Sequence, residues 1–209
     1  YRLALAAPVR PDTALKAAIA LDPLYTTRGP FIARVETLDL AIACAEAADA
    51  VKFHPALLAW AYEARGRAYL TEGFPSKSEA VYEKGLPLAG KSGDRRAEAF
   101  ILRNLGLLKS SEGRMAEALP HYEHALAIIL ELGERADEGF LLEELGSYFQ
   151  SAGELNRAMD YHARARAINK EAGNQLLEAM ALLNLGFIQL ELQRFAEAET
   201  TLLAAASLA

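Results

Sequence analysis

Glycine recurs every 40 residues along most of this chain, and that spacing is the strongest constraint on its fold. The four copies are Gly66, Gly106, Gly146 and Gly186, and the residues around each of them repeat with the same period. A period of about 20 to 50 residues is typical of solenoids, in which each unit buries its apolar face against its neighbours. The spacing therefore predicts a stack of similar units whose function lies on a surface.

Each copy contains two runs of helical periodicity that are separated by a second glycine. In the copy from Asp94 to Gly133, the first run includes Leu102, and the second, after Gly113, includes Tyr122. Asp94, like Asn174 two copies later, stands where a helix begins and is a good N-cap residue. The pattern predicts a helix, a turn and a second helix in each copy, and hence an all-α fold.

The repeats are expected to occupy residues 55–209, in one continuous solenoid. Before them, residues 1–54 are predicted to form irregular helical repeats rather than a separate domain, because Gly29-Pro30 interrupts otherwise helical sequence. The predicted repeats are approximately 55–93, 94–133, 134–173 and 174–209.

The 40-residue glycines lie in the middle of the first helix of each pair. Glycine there costs about 1 kcal/mol relative to alanine, so a packing reason is needed. The partner helix carries small residues in phase with these glycines, namely Ser78, Ala118, Ala158 and Ala198. We therefore expect small residues to meet where the two helices cross.

The order of these residues resembles the tetratricopeptide repeat. In the second copy it is carried by Leu102, Leu105-Gly106, Gly113, Ala118, Tyr122 and Ala125. The usual unit has about 34 residues, so this longer one is similar to those of Pins-type adaptors, kinesin light chains and bacterial regulators. The resemblance implies a right-handed superhelix of antiparallel helix pairs, with a concave groove for a peptide or protein. Departures are Arg65 for leucine, Gln193 for the turn glycine, and His162 and Leu202 for the aromatic residue.

Composition narrows the classes of partner. The formal charge of −6 argues against direct binding of nucleic acid, which needs clustered basic residues. The single Cys44 excludes an intrachain disulfide and favours a reducing cytoplasm, and no apolar run approaches the length of a membrane span. The chain begins at Tyr1 and stops inside the apolar run 202–208, which predicts a fragment of a longer protein or self-association through the last helix.

Candidate binding residues follow from the register of the first helix. Positions −6, −3, −2 and +1 from the central glycine fall in one sector of the helix, opposite the core positions. Position −6 holds the apolar column Trp60, Phe100, Phe140 and Met180, which is either a ligand-binding stripe or core. The other candidates are Asn104 and Asn184 at −2, the mixed charges Arg67, Arg103, Glu143 and Glu144, and Phe187 at +1.

The two asparagines are distinctive because an amide both donates and accepts hydrogen bonds. In the repeats that this chain resembles, asparagine at this position holds the ligand backbone. The alternative is a solvated or helix-capping amide. The charged residues either select a ligand of complementary charge order or form ordinary solvated surface.

Nothing in the sequence indicates an enzyme, a metal site or a cofactor. His121 and His124 lie three residues apart, but His162 occupies an aromatic core position. Gly90-Lys91-Ser92 lacks the upstream glycine of a phosphate-binding loop. We therefore expect a noncatalytic scaffold that binds a peptide or protein in its concave groove. The alternative is the sensory arm of a larger bacterial signalling protein or transcriptional activator.

Overall fold

The computed structural model describes residues 10–28, 31–48 and 55–208, and these ranges contain helices and turns but no strand. Parts of the predicted amino-terminal segment, 1–9, 29–30 with the predicted Gly29-Pro30 interruption, and 49–54, therefore lie outside the described residues. The predicted all-α class, a solenoid of helix pairs, is confirmed. The helices are α1 Pro11–Arg28, α2 Phe31–Ala47, α3 Pro55–Thr71, α4 Pro75–Ser92, α5 Arg95–Ser111, α6 Met115–Leu132, α7 Arg135–Ser151, α8 Leu155–Glu171, α9 Gln175–Glu191 and α10 Phe195–Ala206.

The chain forms two compact units, Tyr1–Leu108 and Lys109–Ala209, called unit 1 and unit 2 below. In unit 1, Leu15, Leu38 and Ile42 from α1 and α2 pack with α3 in one apolar cluster. In unit 2, Leu142, Ala165 and Ile168 form a cluster between α7 and α8. Each unit thus has its own core between paired helices, as expected for stacked repeats.

Helix boundaries follow the predicted punctuation. The Asp94 carboxylate accepts a hydrogen bond from the Ala97 amide at 2.9 Å, and the Asn174 side chain accepts one from the Leu177 amide at 3.2 Å, so both predicted N-caps are confirmed. Gln193, which replaces a turn glycine, still adopts the left-handed conformation with a φ of 59°. The turn geometry is therefore imposed by the repeat even where the residue does not favour it.

The central glycines make room for a large side chain, in addition to the small residues that the sequence predicted there. In three repeats the side chain 16 residues further on fills the space: Tyr82 at Gly66, His162 at Gly146 and Leu202 at Gly186. A Cβ on Gly146 would lie 2.6 Å from His162 Cε1, which is too close for any real contact. The small residue Ser78 also reaches this crossing, but it does so by donating a hydrogen bond to the Gly66 carbonyl at 2.9 Å. The crossing is a socket for a ring or a leucine.

Candidate partner-binding surface on the first helices

The first helices of neighbouring repeats lie side by side in unit 2. Gln150 of α7 donates to Glu191 of α9 with Nε2 and Oε1 2.8 Å apart, and Asn184 of α9 donates to Glu143 of α7 with Nδ2 and Oε2 3.1 Å apart. These bonds place the sequence-predicted positions of α7 and α9 next to one another. Candidate residues of both helices therefore belong to one surface of unit 2.

Asn104 of α5 makes the corresponding bond in unit 1. Its Nδ2 donates to Glu63 Oε1 at 2.9 Å, and its Oδ1 accepts from Arg103 Nη2 at 3.0 Å. Asn104 is only 1% exposed, whereas Asn184 is half-buried. Each amide thus reaches the glutamate three residues before the glycine of the previous repeat. The sequence signal for these bonds is a shared separation of 41 residues, between Glu63 and Asn104 and between Glu143 and Asn184.

Arg67 belongs to a chain of buried charges in unit 1. Asp22 and Arg34 are each 2% exposed, and Arg34 Nε lies 2.5 Å from Asp22 Oδ1. Arg67 Nη2 lies 2.7 Å from the other oxygen of Asp22, and Arg67 Nε lies 2.8 Å from Glu63 Oε1. The predicted groove residue Arg67 is therefore held by two internal carboxylates, although 40% of its side chain is exposed. Sequence reasoning missed Asp22 and Arg34, because they lie outside the repeat register.

Burial raises the pKa of Glu63, because desolvation outweighs the opposing effects of Arg67, Asn104 and Arg103. A carboxyl group with a raised pKa binds more protons in the folded state than in the unfolded state. Its contribution to stability is complete below the unfolded pKa, near 4.5, and is lost as pH rises through the folded pKa.

We predict that Glu63→Gln removes this loss. The free energy of unfolding of the variant, relative to that of the unmodified chain, should rise as pH increases from about 4.5. Urea denaturation across that range measures it. Glu117→Gln is the control, because a hydrogen bond from Arg114 lowers the pKa of Glu117 and gives the opposite sign. Parallel pH profiles for the two variants would contradict the assignment.

Glu143 occupies the same position in unit 2 and has two partners. Its Oε2 accepts from Asn184 and lies 2.8 Å from His162 Nδ1. His162 is fully buried, as predicted for the aromatic position that it takes over. Among the described residues, no group of three His, Cys, Asp or Glu side chains is placed to hold a metal ion. The role of Glu143 in unit 2 is thus to link α7, α8 and α9.

The apolar column at position −6 differs between the two units. In unit 1, Trp60 and Phe100 are half-buried with ring centroids 5.5 Å apart, and Trp60 Nε1 donates to Asp94 Oδ2 at 3.0 Å. In unit 2, Phe140 is 43% exposed and Met180 is 50% exposed. Trp60 and Phe100 therefore fit the core interpretation of the column. Phe140 and Met180 instead form an exposed stripe.

The remaining candidate residues are likewise either packed against a neighbour or exposed. The Arg103 guanidinium lies over the Phe100 ring, 5.4 Å from its centroid. Glu144 is half-buried, whereas Phe187 is 53% exposed. Of the predicted set, Phe140, Met180 and Phe187 are thus the ones that present large apolar surface. No described helix combines the length and the apolarity that crossing a bilayer requires.

Several solved structures have the same fold as this chain. BtubC from P. vanneervenii is 24% identical, with 99% of this chain and 84% of that chain covered and a TM-score of 0.84. A putative kinesin light chain of Podosopora anserina is 16% identical, with 96% of each chain covered and a TM-score of 0.77. A signal transduction ATPase with a tetratricopeptide repeat sensor, from Pyrococcus horikoshii, is 20% identical, with a TM-score of 0.80. This chain covers 29% of that ATPase, and 93% of this chain is matched.

Sequence comparison gives the family itself. No curated protein matches the chain. The family model described as tetratricopeptide repeat matches residues 57–131 and 97–171, which together make up more than half of the chain. The chain belongs to the tetratricopeptide repeat family.

Proposed function

We propose that this chain is a noncatalytic scaffold that binds a peptide or protein segment on the first helices of its repeats. Membership of a family of interaction modules supports a protein-binding role. The observation that carries the proposal is the exposure of Phe140, Met180 and Phe187, at 43%, 50% and 53%, on adjacent helices of unit 2. Large apolar side chains gathered on one surface are typical of interaction sites. A reducing, cytoplasmic location is part of the same proposal and rests on the single Cys44.

The polar part of the proposed surface is an asparagine with the charges around it in each unit, Asn104 in unit 1 and Asn184 in unit 2. In a complex, each amide would contact the ligand backbone in place of, or beside, its present glutamate partner. Asn184 is the more accessible of the two, since it is half-buried whereas Asn104 is 1% exposed. Arg67 and Arg103 in unit 1, and Glu143 and Glu144 in unit 2, would then select the charge of the ligand segment that each unit binds.

The double change Asn104→Ala and Asn184→Ala tests this assignment. The ligand is a peptide selected on this chain from a random display library, and calorimetry measures its affinity. We expect affinity to fall by about tenfold, the equivalent of about 1.4 kcal/mol, because two backbone contacts are lost. Asn156→Ala, an exposed change on α8, is the control and should leave affinity unchanged. Unchanged affinity in the double variant would reject the asparagine assignment, and a failure to select any peptide would contradict the scaffold proposal.

A sensory or regulatory arm is the second candidate. The likeness to an ATPase that carries a tetratricopeptide repeat sensor favours it, since that chain is much longer than this one. A nucleotide-binding or DNA-binding domain in the full reading frame would support this role. Self-association through α10 also remains a prediction, and Phe195 and Leu203, both 65% exposed, would be its contacts.

A further inference from the structure

The exposed side of α9 carries five large apolar side chains in one line. They are Leu176, Met180, Leu183, Phe187 and Leu190, with exposures of 72%, 50%, 40%, 53% and 40%, and we call them the α9 strip. Their spacing alternates between four and three residues, which keeps them on one side of the helix. The same spacing forms the seam along which two helices pack in a coiled coil. The strip therefore has the form of a docking surface for another helix.

The repeat fold does not require these apolar residues. The neighbouring first helix, α7, has Ala136, Phe140, Glu143, Ser147 and Gln150 at the corresponding positions. Three of the five are polar, and α7 packs into its unit with them. Apolar side chains at all five positions of α9 therefore point to a role beyond holding the helix in place.

The charge around the strip indicates the chemistry of the partner. Unit 2 contains 16 acidic and 8 basic residues, whereas unit 1 contains 12 acidic and 14 basic residues. Beyond Arg135, helices α7 and α9 contain no lysine or arginine. Their acidic residues are Asp137, Glu138, Glu143, Glu144, Glu178 and Glu191. Of these, Glu138 and Glu178 are buried and paired with Arg135 and Arg166, which leaves the other four on the more accessible side. A ligand lying along these two helices thus enters a negative field, which attracts a basic segment and repels an acidic one.

We propose that the α9 strip binds a basic amphipathic helix of a partner protein. The apolar seam of that helix packs on Met180, Leu183 and Phe187, and its lysine and arginine residues lie near the accessible carboxylates Glu143, Glu144 and Glu191. This proposal rests on the scaffold function and names the class of ligand that the scaffold takes.

A designed peptide tests the proposal. The probe is a fluorescein-labelled helix of about 18 residues with leucine at alternating four- and three-residue spacing and lysine elsewhere. Fluorescence anisotropy should show saturable binding to the chain. A peptide with glutamate in place of lysine, and one with the same composition in scrambled order, should each bind at least about tenfold more weakly. Equal binding of the scrambled peptide would overturn the proposal, because net charge alone would then explain the affinity.

The variant that tests the site is Leu183→Glu with Phe187→Ser, which copies the residues of α7 at those positions. We expect it to weaken binding of the leucine-lysine peptide at least about tenfold. Because the change adds negative charge, weaker binding cannot result from lost electrostatic attraction. Leu130→Glu, at a leucine of α6 that is 50% exposed, is the matched control and should bind normally. Thermal unfolding by circular dichroism confirms that both variants fold.

Four outcomes would overturn the proposal. A dimer seen by light scattering that Leu183→Glu with Phe187→Ser dissociates would overturn the proposal, since a second copy would then cover the strip. Undiminished peptide binding by that variant would also overturn it. If display-selected peptides bind the chain while the basic helix does not, the strip proposal fails and the scaffold function stands. If neither binds, both fail.

Discussion

Replacing Asp22 with alanine should lower the free energy of unfolding by about 3–5 kcal/mol. The Asp22 carboxylate lies between Arg34 and Arg67, and both Asp22 and Arg34 are 2% exposed. Removing the carboxylate leaves the Arg34 guanidinium charged in the interior without its counterion. An uncompensated buried charge is among the largest single destabilising effects known in proteins.

Urea denaturation followed by circular dichroism measures this change. The matched control is Asp39→Ala, which breaks the ion pair of Asp39 with Arg65, where the two side chains are 40% and 21% exposed. Solvent screening limits such a pair to about 1 kcal/mol or less. If both alanine variants lose the same small amount of stability, the charge chain of unit 1 is not buried as described.

Gly66→Ala is expected to destabilise the chain by about 1–2 kcal/mol, even though alanine favours helix by about 1 kcal/mol. The added Cβ would overlap the buried ring of Tyr82, which fills the socket at Gly66. Overpacking of this kind forces the ring or the backbone to move. Thermal and chemical denaturation of the variant measure the net effect.

Gly90→Ala is the control, because Gly90 also lies in a helix and a Cβ there would meet nothing within 4 Å. It should stabilise the chain by up to about 1 kcal/mol. The two substitutions are chemically identical, so their opposite signs isolate the socket. The same sign for both would show that Tyr82 does not depend on the missing Cβ.

The features that sequence analysis predicted correctly are those set by local periodicity. The 40-residue register located the helix pairs, Asp94 and Asn174 were correct N-caps, and the aromatic position placed His162 in the core. Each of these depends on residues within one repeat or on identical spacing between repeats. For that reason they could be determined without coordinates.

The features that the sequence did not reveal depend on contacts between different elements. Asp22 and Arg34 meet Arg67 from helices α1 and α2, which lie outside the register. Trp60 is mostly covered because it packs on Phe100, whereas Met180, at the same position in its own repeat, is 50% exposed. Equal register thus does not imply equal environment, because the neighbouring side chains differ from repeat to repeat.

Variation at one register position also separates structural roles from binding roles. The position three residues before each glycine holds Glu63, Arg103, Glu143 and Leu183 in turn. Glu63 and Glu143 hold the amide of the next repeat, whereas Leu183 is 40% exposed and belongs to the α9 strip. The repeat at 174–209 thus has an exposed leucine at the position where two earlier repeats have a hydrogen-bonded glutamate.

Photocrosslinking tests most directly whether partners bind on the first helices. Benzoylphenylalanine replaces Met180 of α9 in one variant and Ala163 of α8 in the other, both at exposed positions of unit 2. A labelled peptide selected on the unmodified chain is irradiated with each variant. Crosslinking at position 180 and not at position 163 is the predicted result. Crosslinking at position 163 with none at position 180 would contradict it, because the ligand would then lie on the second helices.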